Sequence, residues 1–118
     1  MIKDILPLSN PQHIFTRYYI DRDQLKNLDP ITVLFFDFKD SGGNIMLECY
    51  GKAWSSWFHG MGKQTAEQFF MSCSNDYLMS KFDCVRKSDE TYLRRILEAT
   101  KNALSSDPAQ REKDKGAV

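Results

Sequence analysis

Paired cysteines are missing from this 118-residue sequence: its three, Cys49, Cys73 and Cys84, are odd in number and irregularly spaced. That excludes a disulfide framework. There is no C-x-x-C pair, and only His13 and His59 could supplement the thiols, so neither a zinc site nor any other metal or cofactor is expected. The thiols are expected to be free and buried or half-buried. An excess of charge of either sign is also lacking, since sixteen Lys and Arg balance sixteen Asp and Glu. The simplest electrostatic case for binding nucleic acid or an anionic membrane is thereby removed. Long hydrophobic runs are missing too. The stretch "ITVLFF" is far too short to cross a bilayer, and the opening "MIKDILPLSNPQ" combines acid and proline with no apolar core, so it does not read as a secretory signal. A cytoplasmic protein without membrane contact is expected.

Aromatic side chains, by contrast, are plentiful: eight Phe, five Tyr and two Trp, within a hydrophobic fraction of 42%. This is ample material to offset the entropy of ordering the chain, and the length fits one domain. Residues 1–106 are read as that domain and 107–118, "DPAQREKDKGAV", as a flexible charged tail.

Residues 13–20, "HIFTRYYI", are rich in β-branched and aromatic residues and read as a first strand. "QLKNLDP" then crosses as a loop or helical turn ending at Pro30. Residues 31–39 and "IMLECY" form a hairpin across "DSGGN", with Gly42 and Gly43 expected to supply positive φ. A reversal at Gly51-Lys52 returns the chain as "AWSSWFH", which places Trp54 and Trp57 on opposite faces. After Gly62 the period lengthens towards four. Thr65 with Gln68 makes a capping box ahead of a helix carrying Ala66, Phe69, Phe70 and Cys73 on one face, with Glu67 and Gln68 more exposed. A short helix capped by Ser74 or Asn75 follows, and then a long one capped by Ser88, with an apolar stripe of Tyr92, Leu93, Ile96, Leu97, Thr100, Ala103 and Leu104. The expected fold is α+β: a four-stranded antiparallel meander followed by two or three helices packed on one face.

The Gly-Met-Gly-Lys segment before the first helix raises the question of a phosphate loop. The required G-x-x-x-x-G-K-[ST] fails twice, with Trp57 at the first glycine position and Gln64 after Lys63. What remains is a turn able to attract an anion weakly. His59 beside it has no Ser, Cys or carboxylate placed by sequence to work with, so an enzyme centred on His59 and Lys63 has the least support and no catalytic residue is assigned. Asp21, Asp23, Asp29, Asp37 and Asp40 gather in the first third, as an acidic surface for a basic partner or as ordinary turn residues. Arg86, Lys87, Arg94, Arg95 and Lys101 bias the C-terminal helix towards basic, interrupted by Asp83, Asp89, Glu90 and Glu98.

Four-stranded sheets can stack single-stranded bases on exposed rings, and Tyr18, Tyr19, Phe35, Phe36 and Phe38 place rings on both faces. A nucleic-acid binder using Tyr18, Tyr19, Arg94 and Arg95 is the alternative. It is not favoured, because strands first and helices afterwards is not the alternating order of that module. If one sheet face is left open, its aromatics suit a protein partner equally.

The order of a strand ending "ECYG", a Trp-containing strand, "GMG", "TAEQFFMSCSNDYLMSKF" and a last helix beginning "ETYLRRILEAT" resembles small accessory proteins of enterobacterial bacteriophages and prophages, which usually carry no assigned function. The likeness spans roughly residues 30–104 and carries over no functional residues. It implies a setting in the host cytoplasm and action by binding host proteins, including defence nucleases and CRISPR effector complexes. The expectation is a non-enzymatic interaction protein that inhibits or modulates a host complex, an anti-defence factor of the anti-CRISPR kind. Its contact surface is placed on Trp54, Trp57, His59, Met61 and Lys63, aided by Asp37 and Asp40; a homodimer is compatible with the same pattern.

Overall fold

The structure, a computed structural model, describes residues 1–7, 14–25, 27–38, 42–82 and 87–106. Among residues singled out from sequence, His13, Asp40, Asp83, Cys84, Arg86 and the 107–118 tail lie outside the described residues. Five strands, β1 (Ile2–Pro7), β2 (Ile14–Ile20), β3 (Ile31–Asp37), β4 (Gly43–Cys49) and β5 (Lys52–Phe58), form one antiparallel sheet in the order β1-β2-β3-β4-β5. Three helices follow: α1 (Ala66–Ser72), α2 (Asn75–Lys81) and α3 (Lys87–Ser105).

The α+β class and the meander are as expected, but the sheet has one strand more than the four read from sequence. The addition is β1, whose "IKDILP" lacks a clean alternation and ends in proline. Such a segment is admissible only at an edge, where charge and a missing N–H do no harm to a ladder. It is held by pairing along β2 from Ile2↔Tyr19 to Pro7↔Ile14, with Arg17 Nη2 2.6 Å from Asp4 Oδ2. Of the loop or helical turn read for "QLKNLDP", the described residues after Gln24 follow the loop, and a 3-10 turn over Arg22–Gln24 leads into it.

The glycine assignment is also corrected. Gly42 and Gly43 are not among the positive-φ residues; the β4–β5 reversal instead places Tyr50 at φ 51° and Gly51 at φ 76°. Two consecutive positive angles in a two-residue loop are what a type I′ hairpin needs. Gly43 is required for space, since a Cβ there would lie 2.7 Å from the Phe36 carbonyl oxygen and 3.1 Å from Met61 Cε.

The helix starts follow local chemistry. The Thr65 hydroxyl accepts from Gln68 N–H at 3.1 Å and the Gln68 side chain accepts from Thr65 N–H at 3.0 Å, completing the capping box. Ser74 caps α2 by accepting from Tyr77 N–H. Helix α3 begins at Lys87, so Ser88 lies inside its first turn and is not its cap, while Asp89 and Glu90 occupy that turn as expected.

All three helices pack on the same side of the sheet. Tyr18, Ile20, Ile31, Val33, Phe35, Ile45, Leu47 and Cys49 point into this layer and are fully buried. They meet Ala66 and Phe70 of α1, Leu78 of α2 and Leu93, Ile96, Leu97 and Leu104 of α3. Phe35 is the hub, edge-on to Tyr18 at 6.1 Å and to Phe70 at 5.5 Å. Glu67, read as more exposed, is instead buried in the core, because the Tyr18 hydroxyl donates to its Oε1 at 2.5 Å.

Candidate functional site

Strand alternation decides what the other face of the sheet displays, because residues directly opposite in an antiparallel register share a face. Arg17, Leu34, Met46 and Ser55 form one row; Phe15, Phe36, Asn44 and Trp57 form the next; Tyr19, Thr32, Glu48 and Ala53 flank them. None of the three helices packs there. Along one end of this face run four rings in contact. Phe15 meets Phe36 at 5.9 Å, Phe36 meets Phe38 at 4.6 Å, and Phe38 stacks on Trp57 at 5.3 Å with an interplanar angle of 17°. Trp57 is 58% exposed and Tyr19 38%. Among the described residues charge on this face is sparse: Asp4 and Arg17 are paired with each other, and Glu48 accepts from Gly51 N–H.

This geometry divides the residues predicted as a contact surface. Trp54 and Trp57 part as the alternation requires, but Trp54 is 9% exposed and edge-on to Tyr92, and Met61 is 4% exposed. Both are core residues and leave the contact surface. Trp57, His59 and Lys63 are exposed, the last two on a turn where Gly60 and Gly62 take φ of 68° and 67°. Asp37 is on the helix-bearing side, where its Oδ1 accepts from the Ala66 N–H at 2.6 Å and so caps the start of α1. Burial raises its pKa above the ordinary carboxylate value, against the lowering effect of that N–H.

The acidic set is split: Asp21, Asp23 and Asp29 lie in the connection between β2 and β3, away from Asp37. Asp29 pairs with Arg22 beyond one end of β3 and Asp37 ends the other, roughly 20 Å away by strand rise. The nucleic-acid set is split: Tyr18 is fully buried, Tyr19 faces the open side, and Arg94 and Arg95 lie on α3, bonded to Asp76 and to the Asn27 carbonyl. Arg94 and Arg95 therefore sit on the helix layer, and Tyr19 on the opposite face.

Neither described thiol is poised as a nucleophile. Burial pushes the Cys49 thiol up, and Tyr92, whose hydroxyl donates to Cys49 Sγ at 3.2 Å, is pushed up to about 12, chiefly by desolvation. Burial likewise raises Cys73 and lowers Lys101, whose Nζ donates to the Cys73 carbonyl. Among the described residues no three His, Cys, Asp or Glu side chains are grouped to hold a metal ion, and no helix is long and apolar enough to cross a membrane.

Sequence reasoning noticed Phe36, Phe38 and Tyr19 as rings without knowing their side, and it did not single out Phe15. The signal for Phe15 was present, since it stands two residues from Arg17 and four from Tyr19 on a period-two strand. Comparison with curated proteins and with solved structures returns no match. The chain belongs to the phage family Phage_phiTE_072, whose model matches residues 11–116.

Proposed function

We propose that this protein is a non-enzymatic phage factor that binds a host protein complex and inhibits or modulates it, and that the open sheet face is the surface it uses. The specific form we propose is an anti-defence factor of the anti-CRISPR kind, acting in the host cytoplasm. One observation carries the choice of surface: the contiguous row Phe15–Phe36–Phe38–Trp57 on a face no described helix covers. Rigid aromatic rings, at least one of them well exposed, are the side chains that dominate protein–protein hot spots. Family membership supplies the phage setting.

The rings also suit single-stranded bases, which is the second reading. The charge pattern favours the first. A nucleic-acid groove needs cations alongside its stacking platform, whereas Arg17 on this face is bonded to Asp4 and Arg94 and Arg95 belong to the helix layer.

Affinity capture of the tagged protein from host lysate, with and without nuclease, tests the class of partner. The expected result is a stoichiometric host protein that survives nuclease. A short single-stranded oligonucleotide, titrated at several salt concentrations, is expected to show no salt-dependent binding. Recovery only of nuclease-sensitive material, with a steep salt slope, would transfer the face to the second reading.

A further inference from the structure

We infer that strand β5 is a self-association edge, pairing antiparallel with β5 of a second copy to make one continuous ten-stranded sheet. This inference rests on the two sheet edges and does not depend on the identity of a host partner.

The edges are β1 and β5, and they are not alike. β1 carries Lys3, Asp4 and Pro7, which are devices that blunt edge pairing. β5, "KAWSSWF", pairs with β4 in unbroken register from Cys49↔Lys52 to Gly43↔Phe58, so no bulge turns it away. It contains no proline, and its one charge is at its first residue. That charge is drawn onto the helix layer, with Lys52 Nζ 2.6 Å from Asp89 Oδ1. Lys52, Ala53, Ser55 and Trp57 are all exposed, and Ser56 is half-exposed on the helix-bearing side. Among the described residues no strand pairs with the outer side of this seven-residue strand, and such an edge is a template for another strand.

The sequence of β5 fits its own antiparallel copy. A twofold axis normal to the sheet requires a residue to sit opposite itself, and Ser55 is the position at which every other pair is compatible. On the open face Ala53 then lies opposite Trp57 of the second copy; on the helix-bearing face Ser56 lies opposite Trp54, and Lys52 opposite Phe58. Each indole meets a small residue, and the two Lys52 side chains stand on opposite sides of the axis, roughly 20 Å from each other. Moving the axis one residue to Ser56 would set Trp54 against Phe58 on the covered side, two bulky groups in one site. The Ser55 register is also isologous, as a closed dimer needs, and it joins the two open faces into one surface.

Sedimentation of the full chain over a range of concentrations tests this, with two variants at the exposed Ser55. The wild-type protein is expected to sediment at twice its 13.7 kDa chain mass. Ser55→Lys places like charges directly opposite each other across the axis and is expected to weaken dimerisation about tenfold or more, with thermal unfolding showing an intact monomer. Ser55→Cys is expected to form an intermolecular disulfide under mild oxidation, because directly opposed Cβ atoms lie about 4.5–5.5 Å apart. Ser56→Cys and the wild type, with its native thiols, are expected not to do so. A wild-type protein that stays monomeric, or a dimer that survives Ser55→Lys and yields no Ser55→Cys crosslink, would overturn the inference.

Discussion

Phe35→Ala is expected to lose about 3–5 kcal/mol of stability, the usual cost of emptying a fully buried aromatic site, and urea unfolding would read it as a lower midpoint at unchanged slope. Phe35 has no exposure and its ring touches both Tyr18 of β2 and Phe70 of α1. Truncation therefore opens a cavity between the sheet and the first helix that neither neighbour can fill without leaving its own site. The adjacent Phe36→Ala is the informative control. Its ring lies on the other face and is only half-buried, so its cost is expected to be clearly smaller. Equal losses at the two positions would mean that the second face is covered in solution.

Tyr18→Phe is the second large effect, at about 1–3 kcal/mol for one deleted oxygen atom. The Glu67 residue is 7% exposed, and the hydroxyl at 2.5 Å is a donor to its carboxylate within the core. Removing the donor leaves a buried acceptor without that bond, which costs more than the bond contributes when both partners are present. Replacing both partners, Tyr18→Phe with Glu67→Leu, is expected to recover part of the loss, because an apolar pair of similar shape needs no donor. Urea midpoints for the two single variants and the double variant close the cycle. A neutral Tyr18→Phe would show that water already satisfies Glu67.

What sequence alone revealed here depended on whether the decisive interaction was local. The capping box at Thr65 and Gln68 and the stripe on α3 lie within a few residues, and both stand where the period and the cap chemistry put them. The separation of Trp54 from Trp57 was equally legible, since alternation is a property of one strand. Which of the two would be buried was not, because that depends on the face the helices take, a choice made by packing across the whole sheet. Met61 shows the same limit: it reads as a turn residue, yet its long flexible side chain reaches the space that Gly43 leaves empty. β1 was missed because an edge strand needs no alternation of its own when β2 provides the ladder. Asp37 looked like a surface acid and is instead tied to the N–H of Ala66, 29 residues away.

We propose the open face, and not the Gly-Met-Gly-Lys turn, as the working surface. It is tested most directly by titrating the captured host protein with the wild type, Trp57→Ala and Lys63→Ala, after confirming that all three unfold at similar urea concentrations. Trp57→Ala is expected to weaken binding by about 2 kcal/mol, roughly thirtyfold, while Lys63→Ala stays close to wild type. Full affinity for Trp57→Ala together with a loss for Lys63→Ala would contradict it and return the surface to the turn.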